Sequence, residues 1–152
     1  MRFIVLFGRI VLGAIFLVFG LNKLLPLFAV PPPEGTAAEF MGGLAATGYF
    51  FPMLAAIEIT AGLLLLLGRF VPLALTLLAP VTVHILAFHL FLAPGGLPLA
   101  IVLVALNASL AWLYRDAFRG VLRSDANWRF RGPEHVERPA PRRHRPHEPA
   151  EA

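Results

Sequence analysis

Seven polar or ionisable side chains interrupt the long apolar runs of this sequence, and their types can do chemistry. They are Arg9, Asn22, Lys23, Glu58, His84, His89 and Asn107. A carboxylate beside a cation can form an ion pair, carry a proton or bind a polar ligand, and an imidazole or amide can hydrogen-bond to a carbonyl group. A charged group costs roughly 2.5–3.5 kcal/mol at the centre of a membrane helix, so it needs a partner or a function. We take the seven as candidate ligand-binding residues of one polar intramembrane site.

The composition excludes an ordinary soluble domain and several kinds of active site. Of the 152 residues, 58% are hydrophobic and 14% are charged. Soluble domains have about 45–50% apolar and about 25% charged residues. There is no cysteine, which excludes disulfides, thiolate metal sites, iron–sulfur clusters and CxxC redox chemistry in this chain. The sequence also contains no cofactor-binding fingerprint, and we expect no catalytic residue, no metal site and no cofactor held by this chain alone.

The charged residues divide the chain into two parts. Residues 1–114 hold only seven of the 22 charged residues. We expect a four-helix transmembrane domain over 1–114 and a juxtamembrane amphipathic segment over 115–131. Residues 132–152 are rich in proline and arginine and contain almost no apolar side chain. That composition predicts a disordered basic C-terminal tail, and we expect no nucleic acid as its partner.

Four stretches are long and apolar enough to span a bilayer, which takes about 20 residues. They run over about 3–25, 49–68, 71–92 and 97–114. Because they are rich in leucine and lack the period-two alternation of strands, the expected fold class is all-α, an integral membrane four-helix bundle in contact with the lipid bilayer. Pro52 and Pro72 lie near the first turn of their helices, and Pro80 is expected to kink the third span.

The arginines predict the orientation, because basic residues favour the cytoplasmic side. They lie at the N-terminus, between the second and third spans, and after the fourth span, at Arg2, Arg69, Arg115, Arg119 and Arg123. The connection after the first span carries Glu34 and Glu39 instead. We therefore expect cytoplasmic N- and C-termini and an extracytoplasmic first loop.

The first loop is expected to contain a short extracytoplasmic helix over residues 36–47. Thr36 and Glu39 match the S/T-x-x-E capping box that starts many helices. Four apolar side chains then share one helical face, namely Phe40, Met41, Leu44 and Ala45. Two interpretations stay open: a half-helix with a role on the outer surface of the bundle, or a plain interfacial segment that only packs.

The charged residues of the first two spans fall on narrow helical stripes that also carry glycine. The first stripe comprises Arg9, Gly13, Phe16, Gly20 and Lys23. The second comprises Ala55, Glu58, Gly62 and Arg69. Because glycines let helices approach closely, we expect the two stripes to face each other in antiparallel helices. Lys23 and Arg9 are both within reach of Glu58, so either cation can pair with it.

The remaining candidates have several roles open to them. Glu58 can form an ion pair that fixes helix register, act as a proton-carrying or substrate-binding carboxylate, or face a lumen without a role. His84 lies deeper than His89, and it can bond to a quinone carbonyl, relay a proton or bond to a neighbouring group. Asn107 lies near mid-membrane and can hydrogen-bond across helices.

A series of motifs resembles a known family. The motifs are, in order, Arg9, Gly20-x-x-Lys23-Leu24, Thr47-Gly48-Tyr49-Phe50-Phe51-Pro52, Glu58-x-x-x-Gly62, Pro72, Pro80 and Phe88-His89. Over about residues 3–114 the chain resembles the DoxX family of small four-span bacterial membrane proteins. The resemblance implies a location in the bacterial inner membrane. It also implies that Arg9, Lys23 and Glu58 occupy the family's arginine, lysine and glutamate positions.

The resemblance also implies a role beside redox enzymes, since some DoxX-like proteins are the membrane subunits of a thiosulfate:quinone oxidoreductase. We expect a non-enzymatic or accessory subunit of a quinone-linked complex, with quinone as its ligand. A redox protein or a second copy of the chain is the expected partner. Any catalysis would belong to the oxidoreductase that this subunit joins. A small proton-coupled transporter and a purely structural membrane assembly protein are the alternatives.

Overall fold

The structure is a computed structural model that describes residues 2–118. Within them every regular element is helical, which confirms the all-α class. The elements are α1 (Arg2–Leu24), α2 (Gly35–Ala46), α3 (Phe50–Leu67), α4 (Val71–Phe91), a 3₁₀ turn (Pro94–Gly96), α5 (Leu97–Leu113) and α6 (Arg115–Phe118). The four long helices differ from the sequence-based spans by no more than one residue at either end. Most of the predicted amphipathic segment and the whole predicted tail over 132–152 lie outside the described residues.

Four of the described helices are long and apolar enough to cross a membrane, so the chain is a multi-pass membrane protein. Their mean hydropathy lies between 2.0 and 2.5. Large apolar side chains on the outside of these helices are exposed, for example Phe7 and Phe91. Soluble proteins rarely leave such an apolar surface uncovered, whereas lipid tails cover it in a bilayer.

The long helices form a closed bundle in which α1 and α4 each contact both α3 and α5. Apolar side chains from all four helices are buried at its centre, among them Leu12, Leu65, Leu78 and Leu103. Helices α1 and α3 are antiparallel, because Gly13 lies against Gly62 and Gly20, two turns further along α1, lies against Glu58. This confirms that the two glycine-bearing stripes face each other.

The turn between α3 and α4 begins at Gly68, whose φ of 69° lies in the left-handed region. The backbone N–H groups of Gly68 and Arg69 donate to the carbonyl oxygens of Leu65 and Leu64, at 3.2 and 3.1 Å. Glycine adopts this conformation at little cost, and the two bonds satisfy carbonyl groups at the end of α3. The short turn sets α3 and α4 side by side in opposite directions.

Helix α2 occupies the first loop, but the predicted capping box does not form. Glu34 is the N-cap residue and Gly35 is the first helical residue, so Thr36 is already inside the helix. A capping box requires the threonine in an extended conformation before the first turn, and no side-chain hydrogen bond caps α2. Of the predicted apolar face, Phe40 contacts the bundle, since its ring centroid lies 6.0 Å from that of Phe88 in α4, and Ala37 is the buried residue of α2.

Candidate functional site

Lys23 and Glu58 form an ion pair between α1 and α3. The Nζ atom of Lys23 lies 2.6 Å from Oε2 of Glu58 and 3.4 Å from the carbonyl oxygen of Phe19. The side chain of Glu58 is 2% exposed, and that of Lys23 is 24% exposed. Lys23 rather than Arg9 is therefore the partner of Glu58, and part of its side chain still reaches the surface of the bundle.

Gly20 of α1 allows this ion pair to form. A Cβ atom on Gly20 would lie 3.0 Å from Cβ of Glu58 and 3.1 Å from the backbone nitrogen of Ile59. Gly20 lies three residues before Lys23, so the two residues share one face of α1. Because no side chain separates the helices at Gly20, the Lys23 side chain has only a short gap to cross before it meets the carboxylate.

Arg9 lies at the other end of the α1–α3 interface. Its guanidinium group packs on Gly68, where a Cβ atom would lie 2.7 Å from Nη1 of Arg9. This position is next to the C-terminal end of α3, where the helix dipole favours a cation. The Nε atom is buried and has no hydrogen-bond partner among the described residues. Arg9 precedes Lys23 by roughly 21 Å along α1, at 1.5 Å per residue. Arg9 therefore contacts Gly68 at one end of the α1–α3 interface, and Lys23 contacts Glu58 near the other.

A second polar contact joins α4 and α5. The Nδ2 atom of Asn107 donates to Oγ1 of Thr82 at 3.4 Å, and the Thr82 hydroxyl donates to the carbonyl oxygen of Ala79 at 2.9 Å. Both side chains are buried. Asn107 thus bonds across helices, as the sequence indicates. Thr82 is not among the sequence-based candidates, although a hydroxyl group in the middle of an apolar span is a signal that marks it.

The two histidines and Asn22 make their contacts away from the Lys23–Glu58 pair. His84 is on the exposed side of α4, with its ring centroid 5.9 Å from that of Phe40 in α2. The Nδ1 atom of His89 lies 2.8 Å from the backbone carbonyl oxygen two residues beyond the end of α4. The Oδ1 atom of Asn22 accepts the backbone N–H of Phe28 at 2.9 Å. His89 and Asn22 therefore hold the chain segments that follow α4 and α1.

Of the seven candidates, Lys23 and Glu58 are the two that the structure brings into direct contact. No hydrogen bond or ring contact within residues 2–118 joins either histidine to this pair. The Lys23–Glu58 pair is therefore the candidate functional site, and a ligand-binding role for the other five residues stays a prediction.

A comparison with models of protein families identifies the family of this chain. A family model described as DoxX matches residues 4–91, from the first turn of α1 to the end of α4. The match includes Lys23 and Glu58, whereas α5 lies beyond it. Comparisons with curated proteins and with solved structures gave no match. Because the family model covers more than half of the chain, this protein belongs to the DoxX family.

Proposed function

We propose that this protein is a non-enzymatic accessory subunit of a quinone-linked membrane redox complex, and that the Lys23–Glu58 pair binds the quinone head group. The observation that carries the proposal is the setting of the Lys23 ammonium group. A buried carboxylate holds it at 2.6 Å, while the Lys23 side chain is 24% exposed. A cation held in this way presents a fixed donor at the edge of the bundle, where a lipid-soluble ligand arrives from the bilayer.

The hydrogen-bonding capacity of Lys23 supports a carbonyl ligand. An ammonium group has three donors, and a quinone carbonyl oxygen is an acceptor. One donor is bound by Glu58 and a second is directed at the carbonyl oxygen of Phe19, which leaves one for a ligand. The Phe19 ring packs edge to face against Phe28, with centroids 5.6 Å apart. Phe19 lies about one helical turn before Lys23 on α1, and aromatic side chains suit the planar ring of a quinone.

The composition supports a role that depends on a redox partner. The chain has no cysteine, so it has no ligands for a thiolate-bound iron–sulfur cluster and no dithiol for electron transfer. In this proposal the electrons reach the quinone from another protein. The task of this subunit is to hold the quinone head group where that partner can reduce it.

Retention of quinone by the purified protein tests the proposal. The full chain is purified in detergent, incubated with decylubiquinone and passed through gel filtration, and the retained quinone is measured in an organic extract. We expect the double variant Lys23→Met/Glu58→Leu to retain about tenfold less quinone than the wild type, because the charged donor is gone. The matched control is Glu39→Gln, which changes an exposed carboxylate on α2 and is expected to retain as much as the wild type.

The double variant removes both charges together and leaves no buried charge without a partner, so it is expected to keep the fold. Equal retention by the wild type and the double variant would overturn the proposal. A folded wild-type protein that retains no quinone would overturn it as well. Either result would leave the two alternatives, a small proton-coupled transporter and a structural membrane assembly protein.

We also propose that both termini are cytoplasmic and that α2 lies on the extracytoplasmic side of a bacterial inner membrane. The support is the distribution of arginine between the two ends of the spans. A reporter fused after Gly35 is expected outside, and one fused after Arg123 is expected inside. The reverse result would refute this orientation.

A further inference from the structure

A groove of about 310 Å³ lies between α4 and α5. Its walls are small or apolar side chains, including Thr76, Ala79, Val83, Val104, Ala108 and Ala111. Thr76, Ala79 and Ala108 are exposed, so the groove opens on the surface of the bundle that lipid covers. Small side chains on both helices, such as Ala79 and Ala108, border this space.

The groove has a polar group at its buried side. Asn107 lines it and is only 6% exposed. Its Nδ2 atom is bound to Thr82, but its Oδ1 atom has no hydrogen-bond partner among the described residues. Most buried polar atoms are partnered, and the membrane interior has no bulk water to supply a bond. Asn107 therefore places a buried acceptor without a partner beside an apolar groove, and such an acceptor favours a ligand that brings a donor.

We propose that this groove binds a membrane-soluble molecule that carries a hydroxyl group on an apolar body, and that the hydroxyl donates to Oδ1 of Asn107. The volume is at the lower end of the range of small-molecule pockets, about 300–1,000 Å³, and suits a single ring or a short chain. The exposed walls admit the ligand directly from the bilayer. The apolar side chains contact its body, while the amide selects for a donor.

A helix of another protein would reach Asn107 only through a polar side chain. With its side chains a helix is about 10–12 Å wide, and its backbone N–H groups are already bound within the helix. A slender molecule with a free hydroxyl reaches the amide where a helix backbone cannot. An ordinary lipid tail fills the groove but leaves the Oδ1 atom without a partner.

The groove is distinct from the Lys23–Glu58 site. It is lined by α4, α5 and Phe118, whereas the ion pair joins α1 and α3. The two sites also select opposite chemistry, since Lys23 offers a donor and the Oδ1 atom of Asn107 offers an acceptor. An oxidised quinone has carbonyl acceptors and no hydroxyl donor, so it does not meet the requirement of the groove.

Two probes that differ by one donor test the proposal. The full chain in detergent is titrated calorimetrically with para-hexylphenol and with the methyl ether of the same phenol, and titrations of protein-free micelles are subtracted. We expect the phenol to bind about tenfold more tightly, because its ether cannot donate to Asn107. Equal affinity for the two probes would overturn the proposal and leave an apolar filler as the occupant.

Three variants locate the binding. Ala108→Phe fills the groove from an exposed wall position and is expected to weaken phenol binding by at least about tenfold. Asn107→Leu is expected to lower the affinity for the phenol to that for the ether. Ala56→Phe adds the same ring at an exposed position of α3 and is expected to change nothing.

The outcomes separate the alternatives even if Asn107→Leu fails to fold, because the two probes and Ala108→Phe do not depend on it. Phenol binding that is unchanged in Ala108→Phe would overturn the assignment to this groove. A wild-type dimer that Ala108→Phe dissociates, without selective phenol binding, would overturn it in favour of a second copy of the chain. Quinone retention at Lys23 is a separate measurement, and neither result decides the other.

Discussion

The α1–α3 and α4–α5 interfaces each join two antiparallel helices through a polar pair, yet they close to different degrees. At the first, glycines bring the backbones together, and a Cβ atom on Gly62 would lie 2.8 Å from both the Gly13 carbonyl oxygen and the Leu17 nitrogen. At the second, the Asn107–Thr82 bond is 3.4 Å long and lies beside an open groove. The helices of the first interface are therefore in close backbone contact. The second interface borders a groove, and the Oδ1 atom of Asn107 there has no hydrogen-bond partner among the described residues.

The difference shows that the packing around a polar residue in a membrane helix decides whether that residue is enclosed by protein or lies beside an open space. Glu58 is an ionisable residue buried between two close helices, and Lys23 is its hydrogen-bond partner among the described residues. Asn107 is neutral and lies at the edge of a space that can admit a molecule. We therefore expect substitutions at the first interface to cost more stability than substitutions at the second.

The largest expected effect is at the ion pair. Lys23→Met leaves the buried Glu58 without a partner and is expected to destabilise the protein by about 3–5 kcal/mol. Unfolding in mixtures of detergent and sodium dodecyl sulfate measures this change. The double variant Lys23→Met/Glu58→Leu is expected to recover most of the loss, because no charge then stays buried. A single variant as stable as the wild type would show that Glu58 does not depend on Lys23.

The next effect is at the glycine contact. Gly62→Ala places a methyl group against the backbone of α1, which cannot move aside like a flexible side chain, and a loss of about 1–3 kcal/mol is expected in the same assay. The matched control is Gly43→Ala in α2, where nothing lies within 4 Å of the added atom. Similar results for the two variants would contradict the close α1–α3 contact.

The smallest effect is at the second interface. Thr82→Val removes the hydroxyl that binds Asn107 and keeps the shape of the side chain, so a loss of about 0.6 kcal/mol is expected, as is usual for one interhelical hydrogen bond in a membrane. The control is Thr60→Val, at an exposed threonine of α3. A loss as large as that of Lys23→Met would remove the distinction between the two interfaces.

The bundle was largely predictable, and the site was predictable in part. The spans follow from apolar runs, and the facing of α1 and α3 follows from the spacing of Gly13, Gly20 and Gly62. The presence of the α2 helix could also be predicted from the sequence. Its first residue could not, because Thr36 and Glu39 match the capping-box pattern although Thr36 lies inside the helix and does not cap it. The local sequence could not reveal that the Thr82 hydroxyl meets Asn107, since the two residues lie on different helices.

The helices and their lengths are a property of the amino-acid sequence, because in lipid a continuous apolar run must satisfy its own backbone, and a helix does so without help from other segments. The choice between two cations for Glu58 is a property of the folded bundle. Lys23 and Arg9 both have side chains long enough to reach a carboxylate. The contact of Gly20 with Glu58 brings Lys23 to the carboxylate, and the space beside Gly68 takes up Arg9 at the other end. Such differences of a few ångströms depend on the packing of all the helices at once.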